Sequence, residues 1–214
     1  MPNPREQILA CACELYLSEG LEGFSMRKLA ERVGVTAPAL YRHYAGREEL
    51  LLEVVDEAYR MLAAELYAAL EEETPLGRFR RAGDAYLDFA LARPRLYEVL
   101  YAYPEFLGMV ELPEETATHA RAIHQFWNDR VRECQETGLL KAEFTPEEIG
   151  TTLWGHAHGL ISLYLRGMIP VGEEEIRRMV RASTRRVFRG LGTPELIREI
   201  HELERAETTA AAAS

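Results

Sequence analysis

Apolar residues near the start of the chain fall at Ile8, Leu9, Ala12, Leu15 and Tyr16, spacing that predicts an amphipathic helix over residues 5–19. Gly20 and Gly23 are placed to end it. The next stretch, SMRKLAERVGVTAPALYRHYAGR over residues 25–47, predicts two short helices joined by a tight turn. Ser25 is an N-cap, and Phe24 with Leu29 can pack as its hydrophobic staple. Eleven residues later Thr36 repeats the cap and Val35 with Leu40 the staple, while Pro38 sits in a first turn where its missing amide costs nothing. Between them Gly34 can take the positive φ that a sharp turn requires.

From Arg47 the apolar positions Leu50, Leu51, Val54, Val55, Ala58, Met61, Leu62, Leu66 and Leu70 keep helical spacing as far as residue 73. A helix of that length spans about 39 Å, enough to join a small head to a second domain as a lever. Beyond Thr74-Pro75, helical patterns cover residues 76–92, 94–101, 114–137, 146–168, 173–190 and 194–207, punctuated by proline and glycine. Residues 102–113 read as a loop or short irregular helices, and no segment sustains the period-two alternation of a strand. The expected fold is all-α: a helix-turn-helix three-helix domain over residues 1–50, then a larger helical domain over 51–207, with 208–214 a disordered tail. The segment 146–168 is apolar on two faces, Trp154, His158, Ile161 and Leu165 on one and Leu153, Ala157, Leu160, Tyr164 and Met168 on the other. A helix of that kind must be covered on nearly all sides, by its own domain or by a partner subunit.

Charge sharpens the view of the head. The chain carries −10, yet residues 27–47 hold five cations (Arg27, Lys28, Arg32, Arg42, Arg47) against the single anion Glu31. Positive charge gathered in one short element of an acidic protein suits local, salt-sensitive contact with a phosphate backbone. The small side chains Ala37, Pro38 and Ala39 open the second helix where a recognition helix must approach base edges. Three cysteines, an odd count, make no disulfide framework, and no run approaches the roughly twenty apolar residues of a membrane helix. The apolar run 8–17 is interrupted by Glu14 and lacks a cleavage site, so it is read as a helix and the protein as cytoplasmic.

Residues 8–55 resemble the DNA-binding domain of the TetR family of bacterial transcriptional regulators, on the leading amphipathic helix, GLEGFSMRKLAERVGV, and TAPALYRHYAGREELL running into a long helix. WGHAHG at residues 154–159 is similar to a Trp...His-Gly signature in one subgroup of that family's ligand domains. The resemblance implies a dimer on double-stranded operator DNA, joined by a four-helix bundle of 146–168 and 173–190 from each subunit, and a pocket for a small-molecule effector. It also implies that the end of the first helix touches phosphate, which makes Arg5 a minor candidate.

For DNA, Arg27 is expected to read base edges, and Ala37, Pro38 and Ala39 to contact thymine methyls. Ser25, Thr36, Tyr41, Arg42, His43 and Arg47 are expected to hold phosphates, with Tyr44 packed instead. For a hydrophobic effector the candidates are Tyr86, Phe89, Tyr97, Tyr101, His124, Trp127, Trp154 and His158, although any single aromatic more often fills a core. His156 and His158 lie two apart and point to different sides of a helix, so no metal site, cofactor or catalytic residue is expected. The arginines of 177–189 behind Glu173–Glu175 read as a solvated helix face, a second nucleic-acid surface being the rival reading. The functional expectation is a ligand-responsive repressor. The alternatives are a helical small-molecule-binding protein or enzyme with an incidental helix-turn-helix, though no GxSxG elbow, P-loop or dinucleotide fingerprint is present, and a DNA-binding protein without an effector.

Overall fold

The computed structural model describes residues 3–101 and 112–212. Most of the expected 102–113 loop lies outside the described residues, as do 1–2 and 213–214. Every regular element described is helical, and one isolated antiparallel bridge joins Leu140 to Gly192. The chain forms two compact units, one of residues 1–67 and 88–123, the other of 68–87 and 124–214.

In the first unit, α1 (Pro4–Gly23) starts at Asn3, whose side chain accepts from Arg5 N at 3.1 Å while Glu6 accepts from Asn3 N at 3.1 Å. Gly20, at φ 69°, takes the chain out of helical geometry where the glycine pattern anticipates it. Arg95 Nη1 donates to Leu17 O at 2.9 Å, satisfying one of the carbonyls a helix end leaves open. The pair α2 (Met26–Val33) and α3 (Ala37–Leu40) follows, then α4 (Arg47–Tyr67). α4 is shorter than the periodicity suggests, because Ala68–Glu71 tightens into a 3₁₀ turn. Three consecutive acids, Glu71 to Glu73, crowd the negative end of a helix dipole there. Contacts of α1 with α2, α4 and α6 (Pro94–Val99) build this unit's core. Leu15, Leu29, Leu40, Leu50, Leu51, Val54, Leu62 and Leu96 are fully buried in it. Each such side chain contributes roughly 1.5–3 kcal/mol.

The second unit takes the first part of α5 (Pro75–Ala92) and the last part of α7 (Glu114–Glu136), with α8 (Pro146–Leu165), α9 (Glu173–Leu191) and α10 (Pro194–Ala212). α8 opens with the expected capping box: Glu148 N donates to Thr145 Oγ1 at 3.2 Å, and Thr145 N to Glu148 Oε2 at 2.8 Å. A side chain at Gly150 would put its Cβ 2.6 Å from Asn128 Oδ1, so α8 meets α7 closely there and Asn128 would have to turn aside to admit one. Phe79, Val131, Cys134, Leu139, Ile149, Leu153, Phe188 and Leu196 form one buried cluster. α8 packs mainly on α9. It nevertheless leaves Leu163 42% exposed and Leu160 and Tyr164 half-buried, while Met168 just beyond it is 69% exposed. Burial pushes the thiols of Cys13 and Cys134 up to about 12, so both behave as inert core groups.

Candidate nucleic-acid face and apolar cavity

In the head, Ser25 Oγ accepts from Lys28 N at 3.3 Å and starts α2 as its cap. Gly34 ends α2 at φ 79° and donates to Ala30 O at 3.0 Å. Thr36 holds the N-cap place of α3, but its hydroxyl makes no capping bond. Val35 stands 40% exposed, while Phe24 and Leu29 are both buried. α3 is a single turn that presents Ala37, Pro38 and Ala39, and Tyr41 after it is 53% exposed.

The cations of this stretch divide into two sets. Lys28 pairs with Glu19, Arg32 with Glu14 at 3.7 Å, and Arg47 donates from Nε to Phe24 O at 3.2 Å and from Nη2 to Leu21 O at 2.8 Å. Arg27 and Arg42 make no ion pair and no side-chain hydrogen bond among the described residues, and both are exposed. Their charge is therefore the least compensated on this face.

Arg5 is spent inside the head. Its guanidinium lies 4.6 Å over the Tyr44 ring, donates to Glu53 Oε1 and, at 3.3 Å, to Glu49 Oε1, and reaches His43 O at 3.2 Å. Tyr44, 1% exposed, donates from its hydroxyl to Glu53 Oε2 at 2.7 Å, in keeping with a packed role. Burial alone would raise the Glu53 carboxyl, but the hydrogen bonds from Arg5 and Tyr44 outweigh it and hold the carboxyl below its ordinary value. The same bond to Glu53 raises Arg5 further above its already high value. This network ties α1, the recognition turn and α4 together.

The second unit contains a cavity of about 370 Å³. Its apolar wall is built on rings that meet tilted or edge to face: Phe79 lies 5.4 Å from Trp127 and 5.1 Å from Phe188, and Tyr86 lies 6.1 Å from Trp127. Leu76, Leu153, Trp154, Val180 and Ile200 continue it. The Trp127 Nε1 is buried and meets no acceptor among the described residues. The polar part of the lining consists chiefly of Arg80 and Asp84 from α5 and Arg181, Thr184 and Arg185 from α9, with Arg181 Nε 2.8 Å from Asp84 Oδ1.

Of the aromatic and histidine candidates, Tyr86, Trp127 and Trp154 line this cavity. His124 and His158 flank Trp154, at ring distances of 5.0 and 5.6 Å. Burial, and then the charge of Arg166, lowers the His158 pKa. His156 turns to Ser183 instead, 2.6 Å away, and its pKa is lowered by burial. Phe89, Tyr97 and Tyr101 belong to the first unit, where Phe89 and Tyr97 are fully buried and Tyr97 meets Tyr101 at 5.2 Å. Sequence reasoning missed Phe79, Phe188, Arg80, Asp84, Arg181 and Arg185. The available signal was the i, i+4 spacing of Arg80 with Asp84 and of Arg181 with Arg185, which puts each pair on one helix face.

Residues 8–54 match the family described as bacterial regulatory proteins, tetR family, and residues 79–187 the family described as tetracyclin repressor-like, C-terminal domain. The HTH-type transcriptional activator FasR of Mycolicibacterium smegmatis is 29% identical over 122 residues, 54% of this chain and 56% of FasR. The chain thus spans about half the length of the curated relatives it matches. A solved structure of a protein of unknown function from Rhodococcus sp. RHA1 superposes with a TM-score of 0.79 at 25% identity, covering 90% of this chain and 97% of that one. AibR, solved in complex with isovaleryl coenzyme A and operator DNA, superposes with a TM-score of 0.63 at 16% identity over 87% of this chain and 98% of its own, a likeness of fold. With the head matched by one of these families and just over half of the chain by the other, this protein belongs to the TetR family of bacterial transcriptional regulators.

Proposed function

We propose that the protein is a ligand-responsive transcriptional repressor, which binds a palindromic operator as a homodimer and leaves it when a small molecule with an apolar body fills the cavity of the second unit. The observation that carries this reading is the head's recognition turn, with small side chains and two cations that no described residue neutralises, in a protein of net charge −10. Arg27 reads base edges, and Ala37, Pro38 and Ala39 meet thymine methyls. Ser25, Thr36, Tyr41, Arg42 and His43 hold phosphates, and Arg47 joins them only through the nitrogen not already bonded within the head.

The dimer forms through residues 146–168 and 173–190. Support comes from the apolar surface a single chain leaves open there at Leu163 and Met168, which a four-helix bundle across a two-fold axis would cover. Two heads then read two half-sites one helical turn or a multiple of it apart. The cavity falls in the size range of small-molecule sites, which favours an effector-responsive regulator over an effector-independent one. A ligand that binds one state of the dimer better than the other shifts the population toward a form whose heads no longer match the operator. AibR, a structural neighbour, binds isovaleryl coenzyme A and operator DNA, which is consistent with that division of labour. The protein works in the cytoplasm, where its DNA is; among the described residues no helix is long and apolar enough to cross a membrane.

Activation is the second reading, because FasR is an activator. Transcript levels of neighbouring genes after deletion decide the sign: they rise for a repressor and fall for an activator. DNA binding is tested by fluorescence anisotropy with the DNA upstream of the protein's own gene across a salt series. A linear fall of log affinity with log salt, and preference over scrambled DNA, are expected. Equal affinity for scrambled DNA sinks the regulator reading. Native mass spectrometry tests the assembly, and a monomer at working concentration sinks the two-head mechanism.

A further inference from the structure

The cavity's rings are ordered along α5. Phe79 and Tyr86 stand about two turns and so about 10 Å apart on that helix, and both pack on Trp127, tilted at 5.4 Å and edge to face at 6.1 Å. Phe188 of α9 meets Phe79 edge to face at 5.1 Å, and Trp154 of α8 joins the same lining. Rings held this way offer faces and edges to a further ring, and such pairs gain energy beyond the area they bury. Within that length the ion pair of Asp84 and Arg181 crosses from α5 to α9 at 2.8 Å. Arg181 Nε and Asp84 Oδ1 are the atoms that meet. The Nη donors of Arg181 and Oδ2 of Asp84 take part in no other hydrogen bond among the described residues, so the pair keeps both a donor and an acceptor for a ligand. The lining charges do not require a charged one. Arg185 has an interaction partner of its own, Arg80 is exposed to solvent, and Arg181 and Asp84 balance each other. At the pair a carboxylate would meet Asp84, and an ammonium would meet Arg181.

We propose that this cavity takes an uncharged aromatic molecule bearing a hydroxyl, whose rings lie along the Trp127 wall while the hydroxyl accepts from an Arg181 Nη and donates to Asp84 Oδ2. This rests on the reading of the cavity as the effector site and adds the effector's chemistry to it. A fused ring system has no rotatable bonds to freeze on binding, whereas an alkyl chain of the same area loses that freedom. A hydroxyl answers both atoms of the ion pair; an ether supplies only the acceptor and leaves Asp84 Oδ2 without a donor. The side chains of Asp84 and Arg181 are 29% and 52% exposed, so water competes there and the hydroxyl confers a several-fold preference, with most of the affinity coming from the rings.

Calorimetric titration of the protein compares naphthylmethanol with its methyl ether, its fully saturated decahydro form, naphthoate and naphthylmethylammonium. The aromatic alcohol is expected to bind about five-fold or more tighter than each of the others. The saturated alcohol is the more hydrophobic of the two, so burial alone predicts the opposite order. Trp127→Leu is expected to erase the preference over the saturated form. The double variant Asp84→Leu/Arg181→Met removes both charges of the pair together, and is expected to erase the preference over the ether while leaving the ether's own affinity within about two-fold. Circular dichroism checks the fold, and Trp154→Leu, at another half-buried ring of the lining, takes the place of Trp127→Leu if that variant fails to fold. Equal or reversed order between the aromatic and saturated alcohols, equal affinity for alcohol and ether, tighter binding of either ion, or variants that keep the parent's preferences overturn the proposal. So does failure of every probe, and if the protein still binds its operator in that case, the DNA-binding reading stands. The expected order of affinities with the operator complex left intact upholds the ligand class and defeats the effector role instead.

Discussion

Glu53→Gln isolates the group on which the head's polar network converges. The carboxylate, with its side chain 25% exposed, accepts from Arg5 and from the buried Tyr44 hydroxyl at 2.7 Å. A hydrogen bond to a charged group contributes about 1.5–3 kcal/mol when well buried. Arg5 is 43% exposed, so water screens its share and its pair is worth less than about 1 kcal/mol. Glutamine keeps the shape and one acceptor oxygen, so the expected loss is about 1–2 kcal/mol, a Tm drop of about 2–8 °C. The folded-state pKa of Glu53 is depressed, so the unfolded chain takes up the proton first as pH falls. Its contribution is therefore fully present above the ordinary carboxylate pKa of about 4.3 and is lost as pH falls through that value toward the lower folded one.

Urea denaturation of the parent and the variant at pH 7 and at about pH 3.5 measures this directly. The stability gap should be full at pH 7 and clearly smaller in acid, since glutamine does not titrate. A gap that is constant, or wider in acid, refutes the assignment of a stabilising ionised Glu53. Arg5 also donates to His43 O, so the same variant should bind operator DNA a few-fold more weakly. Tyr44→Phe, which keeps the ring and removes one donor, should reproduce part of the loss, and the double variant should lose less than the two singles together.

Arg27→Ala should weaken operator binding by about 1–3 kcal/mol with Tm unchanged, whereas Arg47→Ala should lower Tm, because its guanidinium holds Phe24 O and Leu21 O. Parallel anisotropy and melting curves separate the two, and a Tm loss in the Arg27 variant would count against its free placement. Gly34→Ala should cost about 1 kcal/mol by denaturation: φ is 79° and no atom of the described residues lies within 4 Å of the added Cβ, so the cost is backbone strain. Phe188→Ala removes a side chain 6% exposed and packed on Phe79, and should cost about 3–5 kcal/mol in the second unit.

What the sequence made legible was local. Ser25, Gly34 and the Thr145–Glu148 box act through atoms three or four residues away, so the side chain and its partner are read in one glance. The head follows from such signals, and Tyr44 is buried as the family resemblance implies. Where the partner lies far along the chain, local reading stopped short. Arg47 looks like any exposed helix-start cation, yet its acceptors are carbonyls 23 and 26 residues earlier. Arg5 carries no mark that its guanidinium will meet Glu53, 48 residues on.

The cavity was opaque for a deeper reason. Its lining comes from five helices, and each contributes only one face. Helical periodicity says that Phe79, Tyr86 and Phe89 are inward, but the inward direction of α5 changes meaning along its length, since its first part belongs to the second unit and its end to the first. Tyr86 and Phe89 sit three residues apart with similar pattern, yet one lines the cavity and the other fills a separate core. The α9 arginines were hidden in the same way. Arg177 and Arg178 pair with Glu173 and Glu175 as a solvated face should, which makes the whole stripe look alike in sequence. One turn later Arg181 leaves that pattern for Asp84, 97 residues away, and Arg185 follows it to the cavity wall. Charge at i, i+4 thus has two meanings, a surface pair or two cations aimed at one place, and the helix on the other side decides between them.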